Sequence, residues 1–315
     1  MKIVVTGATG FLGRPLCSLL LAQGHEVTAL SRNADHAATL LEPAIECLTW
    51  SVGSAPGAPW ETAVAYADAV IHLAGQPVAE KVWTPEIKEA LRRSRIDTTR
   101  RLVDAMRNTG GCPKVLVSAS GINYYGDGGE AVLTEASPPG STFLAQLCVD
   151  WEAEACKAEA FGVRVVCCRA GIVLEHGGPL DKLLFPLPVP ISPWALGLGG
   201  PIGNGRQWMP WIHRDDAVGI LHWSVMTASV SGAVNTVAPQ LIRNSEFSRA
   251  LGRTLHRLAI LPIPPFVLKA LVGGFADELL TSQRAEPGAA IQHGYPFEYP
   301  GIEACLAAIL AKGLR

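Results

Sequence analysis

The chain has 315 residues, of which 49% are hydrophobic and 17% are charged. This length is ample for one large domain, or for two that pack closely, around a sizeable core. The 26 basic and 28 acidic residues give a net charge of −2, which argues against the clustered basic surface of a nucleic-acid-binding protein.

Eight scattered cysteines without a C-x-x-C pair predict neither a disulfide framework nor a zinc site. Reduced thiols and an N-terminal apolar stretch too short for a signal peptide are typical of a cytoplasmic protein. The segment from Leu183 to Ile202 carries five prolines and is predicted to be an irregular loop, not a membrane span. We therefore expect a small-molecule substrate, no metal, and neither a nucleic-acid nor a membrane partner; a homodimer is left open.

Short apolar strands alternate with helical patterns in the N-terminal half. The predicted elements are strand Lys2–Thr6, helix Phe11–Gln23, strand Glu26–Leu30, strand Ala69–Leu73, helix Pro85–Asn108, strand Lys114–Ser118, helix Phe143–Phe161 and strand Arg164–Arg169. Such βαβ units build a parallel sheet. The predicted fold class is therefore α/β, a Rossmann doubly wound parallel sheet with a smaller C-terminal substrate lobe.

After Ala170 the pattern changes, because residues 174–210 are rich in proline and glycine. A patterned piece at Trp211–Ser224 and a strand at Gly232–Val237 follow. Helical patterns then lie around Ser245–Leu251, Pro265–Gly273 and Ile302–Leu310. We assign residues 1–173, with 209–238 returning, to the Rossmann core, and residues 174–208 and 239–315 to the substrate lobe.

Three glycines, Gly7, Gly10 and Gly13, stand between the first strand and the first helix. The first permits a tight turn, the second lets the backbone approach a pyrophosphate, and the third lets the helix pack on the strand. The free N–H groups at the helix start attract phosphate. Because the motif directly follows a strand and precedes a helix, it predicts a dinucleotide site.

The end of the second strand indicates which dinucleotide is bound. An NAD enzyme commonly carries Asp or Glu here for the ribose 2′-hydroxyl, whereas this chain has Ser31 and Arg32. A hydroxyl and a guanidinium can both donate hydrogen bonds to a 2′-phosphate. The sequence therefore favours NADP(H) as the cofactor.

Several segments, taken together, resemble the extended short-chain dehydrogenase/reductases, and most closely their atypical "epimerase family protein" branch. The segments are Gly7 to Gly13, His72 to Gly75, Ser118 to Gly126, Gly199 to Trp208, Trp211 to Asp216 and Glu278 to Arg284. They span nearly the whole chain. The resemblance implies the fold and a nicotinamide cofactor, and it leaves the reaction undefined.

The expected cofactor-binding residues combine the glycine turn, the end of the second strand and the segments implied by the resemblance. They are Gly7, Thr9, Gly10, Phe11, Leu12, Gly13, Ser31, Arg32, Leu73, Ala74, Gly75, Arg95, Ser118 and Ala119. Arg95 belongs to a run of arginines that helical spacing spreads around a helix, giving a solvated face with one arginine turned inward.

The chain departs from its relatives where they carry Tyr-x-x-x-Lys. The resemblance places Leu144 at the tyrosine position and Cys148 at the lysine position, and neither can do the usual chemistry. Cys148 is either a nucleophile or a buried structural thiol. Ser51 stands where relatives often have an aspartate for the adenine amino group.

The candidate catalytic residues are Ser120, Tyr125 and His213. Ser120 stands at the position of the family's catalytic Ser or Thr. Tyr125 is either a proton donor or an aromatic residue packed on the cofactor groove. His213 is either a general acid or base, or a structural histidine bonded to Asp215 or Asp216. The expected substrate residues are Arg206, Gln207, Trp208 and Trp211.

Three functions are compatible with these residues. The first is an NADP(H)-dependent oxidoreductase with a non-standard proton donor. The second is a non-catalytic NADP(H)-binding sensor or interaction protein. The third, ranked lowest because the tyrosine base is missing, is a nucleotide-sugar epimerase.

Overall fold

The computed structural model describes residues 1–108, 112–184, 194, 197 and 199–313. Its strands, in chain order, are β1 Lys2–Thr6, β2 Glu26–Ser31, β3 Glu46–Thr49, β4 Ala69–His72, β5 Val115–Gly121, β6 Val132–Leu133, β7 Arg164–Ala170, β8 Ile172–Leu174, β9 Trp211–His213, β10 Gly232–Thr236 and β11 Arg284–Ala285. Its α-helices are α1 Gly13–Ala22, α2 Ala34–Leu40, α3 Pro59–Ala65, α4 Pro85–Asn108, α5 Phe143–Cys156, α6 Pro179–Leu184, α7 Arg214–Met226, α8 Asn244–Thr254, α9 Pro265–Val272, α10 Phe275–Leu279, α11 Gly288–Gln292 and α12 Ile302–Gly313.

Seven parallel strands form the central sheet in the order β10-β7-β5-β4-β1-β2-β3. The strand order reverses between β1 and β4, so a crevice opens there at the carboxyl ends of the strands. This arrangement confirms the predicted Rossmann doubly wound sheet. Two short pairs, β6 with β11 and β8 with β9, lie outside it.

Helices cover both faces of the sheet, which is why its strands are nearly continuous apolar runs. On one face α1 and α7 pack against the strands, with Leu16, Leu20 and Ile220 fully buried. On the other face α3, α4 and α5 bury Trp60 and Leu102. The two hydrophobic layers hold the carboxyl ends of β1, β4 and β5 in fixed positions.

A further hydrophobic cluster lies in the C-terminal part, where α8 and α12 pack together around Phe247, Leu306 and Ile309. Of the segment predicted to be an irregular loop, residues 185–193, 195, 196 and 198 lie outside the described residues. Among the helices that are described, none is long and apolar enough to cross a membrane.

The elements differ from the sequence predictions mainly between residues 34 and 65, where α2, β3 and α3 lie. The helix predicted to reach Phe161 is α-helical only to Cys156, and continues as a 3-10 turn over Lys157–Phe161. Gly162 ends this turn in the left-handed region, with φ of 79°.

Candidate active site

The glycine turn lies at the crevice between β1 and β4. Gly7 has φ of 67°, and a Cβ there would sit 2.9 Å from the carbonyl carbon of Leu73. A Cβ on Gly13 would sit 2.1 Å from the carbonyl oxygen of Gly7. These two glycines are therefore required by the turn itself and by the close approach of α1 to β1.

Gly10 is less constrained by the fold than Gly7 and Gly13 are. The residue is exposed and its φ lies outside the left-handed region. Apart from its chain neighbours, the only atom of the described residues within 4 Å of an added Cβ is the Gly7 carbonyl oxygen, at a tight 3.1 Å. The N-cap residue of α1, Leu12, provides no side-chain hydrogen bond, so the helix start can receive a phosphate.

At the end of β2, Ser31 and Arg32 precede the cap of α2. The Ser31 hydroxyl donates to the Asn33 carbonyl at 3.1 Å, and Asn33 caps α2 by accepting from the His36 N–H at 2.9 Å. Arg32 is exposed, and in the described part of the chain its guanidinium bonds to no other group. The strand end therefore presents a free cation.

The backbone from Leu73 to Gly75 forms the facing wall of the crevice. The buried Thr6 hydroxyl accepts from the N–H groups of Leu73 and Ala74, at 3.2 and 3.1 Å. The same hydroxyl lies 2.7 Å from Nδ1 of His72. Thr6 thus ties the end of β1 to the loop after β4, and fixes the width of the crevice.

Arg95 reaches this wall from α4. Its guanidinium carbon lies 3.2 Å from the place of a Cβ on Gly75 and 5.1 Å from the centre of the Trp151 ring. Burial lowers the pKa of Arg95, while the nearby Cys148 thiol acts in the opposite direction. Arg95 is therefore turned inward, as is Arg101, which pairs with the buried Glu61.

At the end of β5, the two predicted serines have different surroundings. Ser118 is buried and its hydroxyl donates to the adjacent Ala119 carbonyl at 3.2 Å, while Ala119 itself is half-buried. The Ser120 hydroxyl donates to Oε1 of Glu152 at 2.6 Å. Since this bond uses its proton, Ser120 can accept a hydrogen bond from a ligand hydroxyl but is not poised to donate one.

Glu152 belongs to a buried network that also contains Tyr125. Arg169 donates to both oxygens of Glu152 at 2.8 Å, and to the Tyr125 hydroxyl at 2.8 Å. Tyr125 in turn donates to Oδ1 of Asn235 at 2.7 Å, and burial raises its pKa. Tyr125 is therefore fully engaged in the structure, which favours the packing interpretation over the proton donor.

The two positions that the resemblance assigns to the missing Tyr-x-x-x-Lys motif both lie on α5. Leu144 is buried with Leu91 and Leu147, and Cys148 is 6% exposed. The Cys148 sulfur lies 3.3 Å from the place of a Cβ on Gly121, and burial raises its pKa to about 11. A neutral buried thiol fits the structural alternative for Cys148.

His213 lies in another cluster, with no described contact to Ser120 or Tyr125. Its ring stacks on Tyr299 with centroids 3.9 Å apart, and its Nδ1 accepts from the Asp215 N–H at 3.1 Å. Burial lowers its pKa. These contacts correspond to the structural alternative, in which His213 bonds to Asp215.

A group of possible metal ligands surrounds this histidine. Donor atoms of Glu175, His213 and Asp215 all lie within 4.8 Å of one another. However, the Lys312 ammonium is 3.1 Å from Glu175 and 3.8 Å from Asp215, so both carboxylates of the group already have a cationic partner.

The four predicted substrate residues do not form one surface. Trp211 is 1% exposed in the C-terminal core, and Gln207 is buried with its amide donating to the Ile202 carbonyl. Arg206 is exposed, and Trp208 is half-buried between two guanidiniums. Of these four residues, only Arg206 and Trp208 have side chains accessible to solvent.

The sequence did not predict two charged residues that hold the site together, Arg169 and Glu278. Arg169 lies inside a buried strand, a position that an arginine occupies only with an acidic partner, and this signal would have pointed to Glu152. Glu278 of α10 accepts from the Leu144 N–H and the Thr142 hydroxyl, both at 3.2 Å, and no local pattern predicts that contact.

Comparisons with family models and with known proteins show which proteins this chain is similar to. A model described as "NAD dependent epimerase/dehydratase family" matches residues 3–237, and "Domain of unknown function (DUF1731)" matches residues 263–309. The chain is 37% identical to an Arabidopsis thaliana "Epimerase family protein SDR39U1 homolog, chloroplastic", over 98% of this chain and 87% of that protein. It is 35% identical to Bacillus subtilis "Epimerase family protein YfhF", over 99% and 98%.

Solved structures agree with the fold. The human epimerase family protein SDR39U1 (isoform2), crystallised with NADPH, matches with a TM-score of 0.86 at 35% identity, over 99% of each chain. MoeE5 in complex with UDP-glucuronic acid and NAD matches with a TM-score of 0.76 at 21% identity, over 100% of this chain and 99% of that one, which bears on the fold alone.

Proposed function

Because the chain belongs to the NAD dependent epimerase/dehydratase family, we propose that it binds NADP(H) between β1 and β4 and acts as an oxidoreductase on a small carbonyl or hydroxyl substrate. The observation that supports this proposal is Gly10, an exposed glycine at which an added Cβ would meet one atom of the described residues, the Gly7 carbonyl oxygen. The uncapped start of α1 beside it suits the pyrophosphate.

The preference for NADP(H) over NAD(H) rests on the end of β2. Arg32 is a free, exposed guanidinium, and no carboxylate follows the strand directly to repel a 2′-phosphate. The human relative crystallised with NADPH supports the same choice.

The proposed chemistry relies on the cofactor for hydride transfer, while the protein orients the substrate. Among the three candidate residues, Ser120 lies closest to the place of the missing motif, beside Cys148. Its hydroxyl is bonded to Glu152, so it would accept a hydrogen bond from a substrate hydroxyl. In the reduction direction the proton would have to come from another group or from solvent.

A charge reversal tests the cofactor preference. Arg32→Glu places a carboxylate beside the 2′-phosphate, so the affinity for NADPH should fall at least tenfold more than that for NADH, on the order of one charge-assisted hydrogen bond. Calorimetric titration with both coenzymes measures this ratio. Arg249→Glu, at an exposed arginine of α8, is the matched control and should leave both affinities unchanged. Equal losses for both coenzymes would refute the role of Arg32.

A second candidate function is a non-catalytic NADP(H)-binding sensor or interaction protein. It is favoured by the buried Leu144 and Cys148 and by the engaged Tyr125. A panel of carbonyl substrates, followed by the loss of NADPH absorbance, separates the two. Turnover supports the oxidoreductase, whereas tight NADPH binding without any turnover supports the sensor. A nucleotide-sugar epimerase ranks third, because its tyrosine base is missing.

A further inference from the structure

Four large apolar side chains are exposed in the stretch that joins α8 to the first turn of α9. The exposed fractions are 68% for Leu258, 67% for Ile260, 47% for Leu261 and 75% for Phe266. Elsewhere in the described chain such side chains occur singly along the sequence, as at Ile291. Isolated exposed apolar residues are ordinary on a protein surface, whereas a concentration of them marks an interaction surface. Residues 258–266 are therefore a candidate for one, and form the apolar loop.

The end of α8 directs the chain into this loop. It forms a Schellman motif, in which the Arg257 N–H donates to the Gly252 carbonyl at 2.9 Å. His256 has φ of 53°, the left-handed conformation that the motif usually gives to glycine, and is the one non-glycine residue with positive φ in the described part of the chain. Ala259 then turns inward, because its Cβ lies 2.7 Å from the place of a Cβ on Gly252. The residues on either side of Ala259 stay exposed.

The rest of the loop is also held by its backbone. The Leu261 N–H donates to the Gly199 carbonyl at 3.3 Å, and the Ile263 N–H donates to the Pro201 carbonyl at 2.8 Å. Ile263 packs inward, against the cluster of α9 and α10. The backbone is restricted further by three prolines, Pro262, Pro264 and Pro265. Because Ala259 and Ile263 take the inward positions, the four exposed side chains remain on the surface.

The charges around the apolar loop are mostly basic, although the whole chain has a net charge of −2. Between Glu246 and Asp277 the sequence has no acidic residue and four basic ones, Arg249, Arg253, Arg257 and Lys269. Arg253 pairs with Glu303 and Lys269 with Asp277, in ion pairs whose side chains are all 62% to 69% exposed. Such exposed pairs are weak, so these cations can turn to another anion.

We propose that the apolar loop and the basic residues beside it dock the protein on the surface of a bilayer that contains anionic phospholipid. The apolar side chains enter the boundary between headgroups and acyl chains, and the cations meet the headgroup phosphates. The sequence predicted no membrane partner because it has no spanning segment, but contact with a bilayer surface requires none. A second copy of the chain fits less well, since in a two-fold interface the same basic surface would face itself.

Flotation of the full-length protein with vesicles tests the proposal. Vesicles of phosphatidylcholine and phosphatidylglycerol in equal amounts should bind the protein at least about tenfold more strongly than pure phosphatidylcholine does. The double variant Ile260→Ser, Phe266→Ser should bind the anionic vesicles at least about tenfold more weakly, because two apolar side chains no longer enter the bilayer. The matched control is Tyr66→Ser, Ile291→Ser, which removes two exposed apolar side chains elsewhere and should leave binding unchanged.

A second pair of variants tests the charges. Lys269→Gln should weaken binding to the anionic vesicles about fivefold, since one cation near the membrane surface is lost. Lys114→Gln is the matched control, because Lys114 is also exposed and paired with a carboxylate, and it should change nothing. Raising the salt concentration should weaken the binding of the wild-type protein as well.

Each outcome bears on the proposal. Weaker vesicle binding by Ile260→Ser, Phe266→Ser, with the thermal unfolding midpoint and the NADPH affinity of the wild type, supports it. Wild-type protein that binds neither kind of vesicle, or binds both equally, overturns it, and so does undiminished binding by the double variant. A wild-type dimer that the double variant converts to a monomer, measured by ultracentrifugation without lipid, assigns the loop to a second copy and also overturns it. The proposed function is independent of these results, because coenzyme titration tests it separately.

Discussion

At the end of β4, His72 is held neutral by a closed set of hydrogen bonds. The Thr99 hydroxyl donates to the Arg95 carbonyl and accepts from the Trp151 indole N–H. Because its proton is used, its second lone pair must accept from Nε2 of His72. Nδ1 then accepts from Thr6, whose hydroxyl in turn fixes the Leu73–Ala74 backbone. Burial, together with the Arg95 charge, lowers the pKa of His72 to about 3. The side chain therefore supports the wall of the crevice through Thr6.

This neutral histidine predicts an acid sensitivity. The unfolded chain binds a proton at His72 below about pH 6.5, and the folded chain does so only near pH 3. The contribution of His72 is therefore fully present above pH 6.5, and falls by roughly 1.4 kcal/mol for each pH unit below it. Urea unfolding between pH 4 and 7 should show a shallower pH dependence in His72→Gln, by about one proton. Parallel profiles for the two proteins would show that His72 is not neutral in the folded state.

The lengths and burial of the elements decided which of them the sequence could predict. Helix α4 repeats the hydrophobic period of a helix over 24 residues, and the inner strand β4 buries every side chain. Both patterns can be read from the sequence. In contrast, α2 has seven residues with only Ala37 buried, and β3 is a four-residue edge strand with half-exposed side chains. Such short elements owe their conformation to the sheet that they join.

The same distinction applies to the candidate site. The glycine turn is local, so its spacing alone predicts the crevice. The Ser120–Glu152–Arg169–Tyr125 network joins different elements, and its hydrogen bonds depend on how those elements pack. The residue types of Ser120 and Tyr125 suggested them as catalytic candidates. Their hydrogen bonds to other side chains could not be predicted from the sequence.

Glu278 connects the C-terminal region to the start of α5, and a substitution tests that connection. Its carboxylate accepts from the Thr142 hydroxyl and the Leu144 N–H, and burial raises its pKa. Glu278→Ala should lower the free energy of unfolding by about 1–2 kcal/mol, the cost of losing a helix cap. The exposed Glu303, paired with Arg253, offers the control Glu303→Ala, which should change stability little. Equal effects in urea unfolding would mean that the Glu278 contacts contribute nothing.

At the scale of the whole molecule, the sheet and its crevice followed from the sequence, but the substrate surface did not. Arg206, Gln207, Trp208 and Trp211 are close in sequence, yet the chain turns some of them into the C-terminal core and others outward. A pocket wall is assembled from segments far apart in the chain. The presence of aromatic and polar residues within eight consecutive positions therefore does not show which of their side chains contact a ligand.

The central claim is that the crevice between β1 and β4 binds NADP(H), and Gly10 gives its most direct test. Among the described residues a Cβ on Gly10 meets one atom, the Gly7 carbonyl oxygen at 3.1 Å, so Gly10→Ala should lower the free energy of unfolding by about 1 kcal/mol or less. The same methyl group stands where the pyrophosphate would approach the backbone. Calorimetric titration should therefore show NADPH affinity at least about tenfold weaker in folded Gly10→Ala than in wild type. Undiminished NADPH affinity in that variant would contradict the account.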